Sequence, residues 1–219
     1  RSGAISTPLP EPISWPGTGL GRLCPRPSGC GIGPFPGGGT SGSPLLDGGD
    51  FAIITLATPV PANIAAPFLL SDATTSLTGS TITTVGYGNI GVGSTGAQSS
   101  LWDGLRRGGT NVMDRHGQAV DGSAAIPGTT NIFSTDFDTP SPGNSNTLGW
   151  LGSSPTPLAF ESSTATGDSG GPMLFDNNGQ WTVLGVLSGG TLAAGGYGDI
   201  SWWTGVSPYR TQIEAAGGV

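Results

Sequence analysis

Lysine is absent from this chain of 219 residues, and its seven arginines face fourteen acidic residues, for a net charge of −7. Nucleic acid and anionic membrane surfaces both select clustered positive charge, so neither is an expected partner. Arg106-Arg107 is too small a patch to suggest an acidic one. Histidine occurs once, as His116, which leaves a single source for any chemistry that needs an imidazole. Cys24 and Cys30 are the only cysteines. Two thiols fall short of the four ligands a zinc site usually takes, and their setting in LCPRPSGCG favours a local disulfide across a Gly/Pro loop, with free thiols as the other reading. A bridge there would point to an oxidising compartment outside the cytoplasm. No apolar run approaches the ~18 residues of a membrane span. The start carries neither an initiator methionine nor the charged and apolar stretches of a leader, and the expectation is a mature, processed or truncated chain.

What is abundant is glycine, 41 residues, and proline, 19, together more than a quarter of the chain. That share raises the question of disorder, but clear strand patterns and six tryptophans argue for a loop-rich all-β globule. Thirteen Gly and nine Pro fall within residues 1–49, where proline cannot donate to a strand ladder and glycine weakens one. This stretch reads as an irregular arm. The texture changes at Asp50, where DFAIITLATPV has the apolar density of a buried strand closed by Pro59 and Pro61. Residues 62–70 continue as a connection with apolar anchors, so 50–79 form one segment. A second block, 80–206, opens on the strand STITTVGYG and passes through loops with strands near 110–120 and 131–137. In PMLFDNNGQWTVLGVLSGG two apolar runs flank Asp176-Asn177-Asn178-Gly179, a hairpin signal, because Asn and Gly tolerate the positive φ of tight turns. A further strand is expected around 199–206. Ser207 as N-cap and Pro208 at the first helical position start a helix that closes at Gly217 and completes 207–219.

The chemistry concentrates in ATGDSGGPM, residues 165–173. Ser169 stands between Gly167 and Gly170-Gly171, so the backbone can bend sharply and bring amide N–H groups close to a reacting carbonyl oxygen. The N–H groups of Gly167 and Ser169 form the candidate oxyanion hole, a contribution of ~3–4 kcal/mol to the barrier per donor. Asp168 is placed to turn inward, where a cationic partner is expected to hold it. A serine of this kind needs a base for its proton.

GDSGGP at 167–172, with DFAIITL at 50–56 and TTVGYG at 83–88, resembles the trypsin/chymotrypsin family of serine endopeptidases. FSTDFDTP, LAFESSTATGDSGGPMLF and YGDISWWTGVSPYRTQI are similar to secreted bacterial members, and the resemblance covers 50–219. It implies two antiparallel β-barrels of six strands each, with the catalytic groups between them and a C-terminal helix. The first barrel is expected to be incomplete in this chain. Ser169 becomes the nucleophile and Asp50 the carboxylate that orients the imidazole, with Asp47 a weaker candidate because only Asp50 directly precedes the apolar strand. The resemblance places a pocket floor at Ser163, one wall at Ser188-Gly189-Gly190 and another at Ser201. None of these is acidic, so an uncharged pocket for apolar side chains is expected.

Family order runs His, Asp, Ser, with the histidine roughly forty to fifty residues before the aspartate. That interval lands on RSGAISTPLP, which has none. His116, between Arg115 and Gly117, reads as part of a solvated turn in the second barrel and is not the expected base. An imidazole supplied by a missing or cleaved N-terminal segment or partner chain is one expectation; a catalytically inactive homologue serving as a structural or interaction subunit is the other. The family's disulfide near the serine loop has no counterpart after Cys30, and Arg1-Ser2-Gly3 is not the released apolar terminus that pairs with the equivalent of Asp168 in many members. Asp136 and Asp138, or Asp176-Asn177-Asn178, offer two or three oxygens, short of the 6–8 around calcium, and read as turn and strand-edge polar groups. Trp150, Trp181, Trp202 and Trp203 read as core or loop packing. The expected function is peptide-bond hydrolysis through an acyl-enzyme on a polypeptide substrate, without cofactor or metal, in a secreted or extracytoplasmic setting.

Overall fold

The structure is a computed structural model that describes residues 48–54, 56, 60–69, 77–116, 131–141, 145–192 and 194–217. The arm before residue 48, with Cys24, Cys30 and Asp47, lies outside the described residues.

The described chain is mostly β. Its strands are β1 (Phe68–Leu69), β2 (Thr81–Gly86), β3 (Ile90–Val92), β4 (Gly96–Gln98), β5 (Arg107–Val112), β6 (Arg115–His116), β7 (Ile132–Asp136), β8 (Pro172–Asn177), β9 (Gln180–Gly190) and β10 (Ile200–Gly205). Apart from β3 and β4, which pair as a small hairpin, they form one sheet in the order β5-β2-β8-β9-β10-β7-β6, antiparallel throughout except that β1 joins β9 in parallel. β5 and β6 stand at opposite ends of that order, yet only Met113-Asp114 separates them. Met113 N donates to Ser80 O at 2.9 Å beside β2, and Asp114 N to Ser134 O at 3.0 Å on β7. The chain therefore leaves one edge and joins the other within two residues, and the sheet curls into a half-barrel.

Local sequence explains the regular parts. In β2, TITTVG supplies β-branched residues with alternating burial, and Ile82 and Thr84 turn inward. The hairpin of β8 and β9 closes on Asn178-Gly179, at φ 56° and 87°, between the paired Asn177 and Gln180. Both central residues at positive φ are what a tight two-residue turn matching strand twist requires. The strands enclose Ile82, Met113, Phe133, Met173, Leu184 and Trp203. A smaller group of Leu148 and Ile200, with Leu151 and Trp202 against it, sits at the start of β10. Of the four tryptophans expected to pack, Trp203 is 1% exposed, whereas Trp150 and Trp181 face solvent.

Three local expectations are corrected. The stretch after Asp50 is not a strand in the residues described: Phe51 and Ile53 are half-buried, but Ile54 is 62% exposed and Leu56 57%. An apolar run is buried as a strand only where a neighbour pairs with it, and among the described residues none pairs with 50–56. Tyr209 ties this segment down instead, stacking on Phe51 at 4.5 Å between ring centroids and donating its hydroxyl proton to Gly48 O. His116 lies in strand β6, not in a solvated turn; it pairs with Phe133, and the two rings are 4.6 Å apart. Ser207 does not cap the helix by its side chain: Ser207–Tyr209 form one 3-10 turn, and α1 (Arg210–Ala215) follows, with Arg210 paired to Glu214 at 2.7 Å and Gly217 at φ 92° beyond its end.

Trp203→Ala empties the largest fully buried site, and a loss of about 3–5 kcal/mol is expected, read as a lowered midpoint in denaturant unfolding.

Candidate functional site

Residues 165–172 form the loop that enters β8. Gly167 at φ 100° and Gly170 at φ 79° take conformations that L side chains rarely adopt, and each turns the chain sharply on one side of Asp168-Ser169. The Asp168 carboxylate points inward. Its Oδ1 accepts from Gly88 N at 2.7 Å and its Oδ2 from Ala165 N at 2.9 Å. Among the described residues these two backbone amides, and no cation, are the partners of that carboxylate. The end of β2 is shaped for this: a Cβ on Gly86 would lie 1.9 Å from Asp168 Oδ1, and one on Gly88 would lie 2.6 Å from its Cγ. Gly170 N donates to Leu187 O at 3.0 Å and Leu187 N to Gly171 O at 2.8 Å, which fastens the loop to β9.

Ser169 is left exposed at the tip. Among the described residues, neither its N–H nor that of Gly167 donates to a protein acceptor, in contrast to the neighbouring amides of Asp168, Gly170 and Gly171. A cavity of about 240 Å³ opens beside the loop, bordered by Asn89, Arg107, Ser163, Asp168, Leu187 and Trp203 among others. Arg107 is not free to face an anion there, because Asp103 holds it at 2.7 Å; the same guanidinium lowers the Asp103 pKa to about 2.

The pocket residues expected from sequence fall into two groups. Gly190 and Ser201 are paired across β9 and β10, and Ser163 Oγ lies 3.3 Å from Ser201 Oγ, with Thr164 Oγ1 2.8 Å from it on another side. Gly189 pairs with Trp202, whose indole covers the face where a side chain would be. Ser188 instead bonds Thr204 across the strands at 2.9 Å. The residue that sequence reading passed over is Asp199. It is fully buried, and its Oδ2 accepts from Ser163 Oγ at 2.8 Å, while Oδ1 accepts from Thr191 Oγ1 at 2.8 Å and Leu192 N at 2.6 Å. Its only signal in sequence is a lone acid between Gly198 and an apolar strand.

Asp50 is half-buried, and no hydrogen bond joins its carboxylate to Ser169 or to His116 among the described residues. In the sheet order, β6 with His116 lies four strands from β8, which follows the serine loop.

A second group of carboxylates lies at the far edge. Ser153 Oγ is 2.8 Å from Asp114 Oδ1 and 3.2 Å from Asp136 Oδ1, Asp114 Oδ2 accepts from Asp136 N at 2.9 Å, and Asp136 Oδ2 from Leu148 N at 2.7 Å. Asp138 N donates to Glu161 at 2.8 Å. Asp114, Asp136 and Asp138 are buried structural clamps between β7 and its loops, with Glu161 half-buried beside them, and Asp136 and Asp138 are not the strand-edge groups expected; among the described residues no three His, Cys, Asp or Glu side chains are placed to hold a metal. Burial, with the charge of Asp136 beside it, raises the Asp114 pKa to about 8; burial, with Asp136 and Glu161 near, raises that of Asp138 to about 6.

Comparison with family models and with curated proteins finds no match for this chain.

Two outcomes are expected from this geometry. Gly86→Ala pushes a methyl group into Asp168, so the amide NMR signals of Gly88 and Ala165 shift and stability falls by about 1–3 kcal/mol. A folded chain that holds Asp114 protonated is most stable below the carboxyl's unfolded pKa, about 4, and loses that contribution as pH rises to about 8. Asp114→Asn, which keeps both acceptor and shape, should flatten the fall in melting temperature between pH 5 and pH 8.

Proposed function

We propose that this chain is the nucleophile-bearing part of a secreted, trypsin-like serine endopeptidase. The observation that carries the reading is the serine loop: an exposed hydroxyl on a tight bend, flanked by two backbone N–H groups that have no protein acceptor among the described residues. Backbone N–H groups held in place before the reaction stabilise an oxyanion without reorganisation. In this reading Ser169 Oγ attacks the carbonyl carbon of a peptide bond and gives its proton to an imidazole. The Gly167 and Ser169 amides take the negative charge on the carbonyl oxygen. The imidazole protonates the leaving amine, the acyl-enzyme forms, and water reverses the sequence to release the acid. Asp168 touches no substrate; it positions the loop.

The half-barrel corresponds to the second of two barrels, and the imidazole comes from an N-terminal segment or partner chain outside this sequence, with Asp50 to orient it. Two features support that division. His116 is engaged on β6 against Phe133, remote in sheet order from the serine loop. The apolar residues Ile54, Leu56, Val60, Ile64 and Phe68 are each more than half exposed in the segment where the first barrel would continue, as expected of apolar residues whose covering piece lies outside this sequence. One observation favours the second reading, a structural or interaction subunit without activity: no hydrogen bond connects Asp50, Ser169 and the chain's only histidine.

An uncharged alkyl fluorophosphonate decides between them. Stoichiometric labelling of Ser169 in the folded protein as isolated, located by peptide mass and lost in Ser169→Ala, is the expected result. An inert Ser169 in folded material that still carries the histidine-bearing segment or partner chain overturns catalysis and leaves the subunit reading.

A further inference from the structure

Two buried carboxylates meet on one hydroxyl. Asp114 and Asp136 are 9% and 2% exposed, and Ser153 Oγ lies 2.8 Å from Asp114 Oδ1 and 3.2 Å from Asp136 Oδ1. A hydroxyl has one proton to donate, so Ser153 can serve only one of two ionised acids, and like charges this close in a buried site disfavour double ionisation. The other donors are backbone amides, Asp136 N to Asp114 Oδ2 and Leu148 N to Asp136 Oδ2. Further acids surround the pair: Asp138 follows on β7, and Glu161 acts on it from the chain before the serine loop. Residues 145–153 carry no ionisable side chain. Arg115 and His116 on β6 are not among the charges that shift Asp114 or Asp138, and Asp199 turns its carboxylate to Ser163, Thr191 and Leu192 instead.

This group holds one end of a stretch that leads to the cavity. After Gly152 at φ 93°, residues 153–162 run through the exposed Ser154, Pro155 and Thr156 to Ser162, which borders the cavity. Acids fasten both ends. Ser153 sits on Asp114 and Asp136, while Glu161 accepts from Asp138 N at 2.8 Å and from Leu158 N at 2.7 Å. β5 adds neutral bonds, Thr110 N to Phe160 O and Ser162 N to Thr110 O, both at 2.9 Å. Asn111, 2% exposed, ties the two systems together, since its Nδ2 donates to Asp136 O at 2.8 Å and to Ser162 O at 3.0 Å. A displacement at Asp136 is thereby carried to the cavity wall.

We propose that Asp114 and Asp136 with Ser153, backed by Asp138 against Glu161, form a proton-operated latch: protonated, it holds residues 153–162 and the Ser162 wall of the cavity in place, and on ionisation it releases them. The sign follows from burial. Burial, with the Asp136 charge, raises the Asp114 pKa to about 8, and burial, with Asp136 and Glu161, raises that of Asp138 to about 6, whereas freed carboxyls ionise near ~4. The latch is therefore fully closed below pH ~4, weakens as Asp138 loses its proton and is lost as pH rises through about 8. Ala165 N, three residues beyond Ser162, is a donor to Asp168, so release also reaches the serine loop. Regulation of an active site by this device rests on the acyl-transfer reading; the latch itself does not.

Carbon-detected NMR of the labelled protein as isolated, followed from about pH 5 to about pH 9, reads the latch without dependence on amide exchange or turnover. The Asp114 carboxyl carbon should titrate with a midpoint above about pH 7, and the Cα signals of 153–162 should move at the same midpoint toward those of unstructured chain, while β2 and β8 stay in place. Asp114→Asn, which keeps an acceptor but cannot ionise, should abolish the movement. Should that variant fail to fold, Ser153→Ala answers the question: it keeps both acids, and loss of the donor that favours the ionised form should raise the midpoint by about one pH unit. A midpoint below about pH 7, Cα signals of 153–162 that do not follow it, or loss of all strand signals at that midpoint overturns the inference. So does a transition that persists in Asp114→Asn, or a midpoint that does not rise in Ser153→Ala. The fluorophosphonate reports separately on Ser169. Labelling without the transition sinks the latch alone; the transition without labelling, in material that carries the histidine-bearing segment or partner chain, sinks the catalysis alone.

Discussion

The Asp168 carboxylate between the Gly88 and Ala165 amides is the interaction on which the serine loop depends. It joins the end of β2 to the loop before β8, across 80 residues of sequence. Because both bonds come from backbone N–H groups, the carboxylate can be reached only if the chain comes very close, and Gly86 and Gly88 permit that approach. With Asp168 drawn inward, the next residue must point outward, and Ser169 does. Among the described residues the Gly167 and Ser169 amides have no internal acceptor, while Gly170 and Leu187 lock the far side of the bend to β9. Hydrogen bonds thus hold the loop on two sides, to the end of β2 and to β9.

The manner of that clamp recurs through the molecule. A chain without lysine has few cations to offer its acids, and the described ion pairs are i,i+4 pairs with side chains 39–48% exposed. Its buried carboxylates are served by neutral donors: Ser153 and Leu148 N for the Asp114 and Asp136 pair, Thr191, Leu192 N and Ser163 for Asp199. Neutral donors satisfy lone pairs but leave charge uncompensated, which is why burial dominates the raised pKa values of Asp114 and Asp199. The abundance of Ser and Thr is thus an interior resource of this fold as well as a surface one.

Legibility in the sequence followed the range of the interactions involved. Asn178-Gly179 announced a tight turn because the φ values it takes are a property of those two residues, and β2 was visible in its own alternation. DFAIITL misled because apolar density reports a tendency to be covered and says nothing of whether a partner strand is present. His116 looked like a turn residue from its neighbours Arg115 and Gly117, yet pairing with Phe133 draws it into a strand. The acids at 136 and 138 looked like edge groups, yet both are buried: the 145–153 segment brings Leu148 N and Ser153 Oγ onto Asp136, and Asp138 N donates to Glu161.

By itself the sequence determined the chemical inventory: a serine framed by glycines, one histidine, no lysine, and an acid next to the serine. Those are matters of residue type and of backbone freedom within a few positions. Tertiary structure alone decided what holds Asp168, where Asp199 sits relative to Ser163, and that Asp114 and Asp136 share Ser153. Apart from the Ala165 amide three positions from Asp168, each of these contacts joins residues 17 to 80 positions apart, and a carboxylate chooses its donors by distance in space, which only the curled sheet supplies.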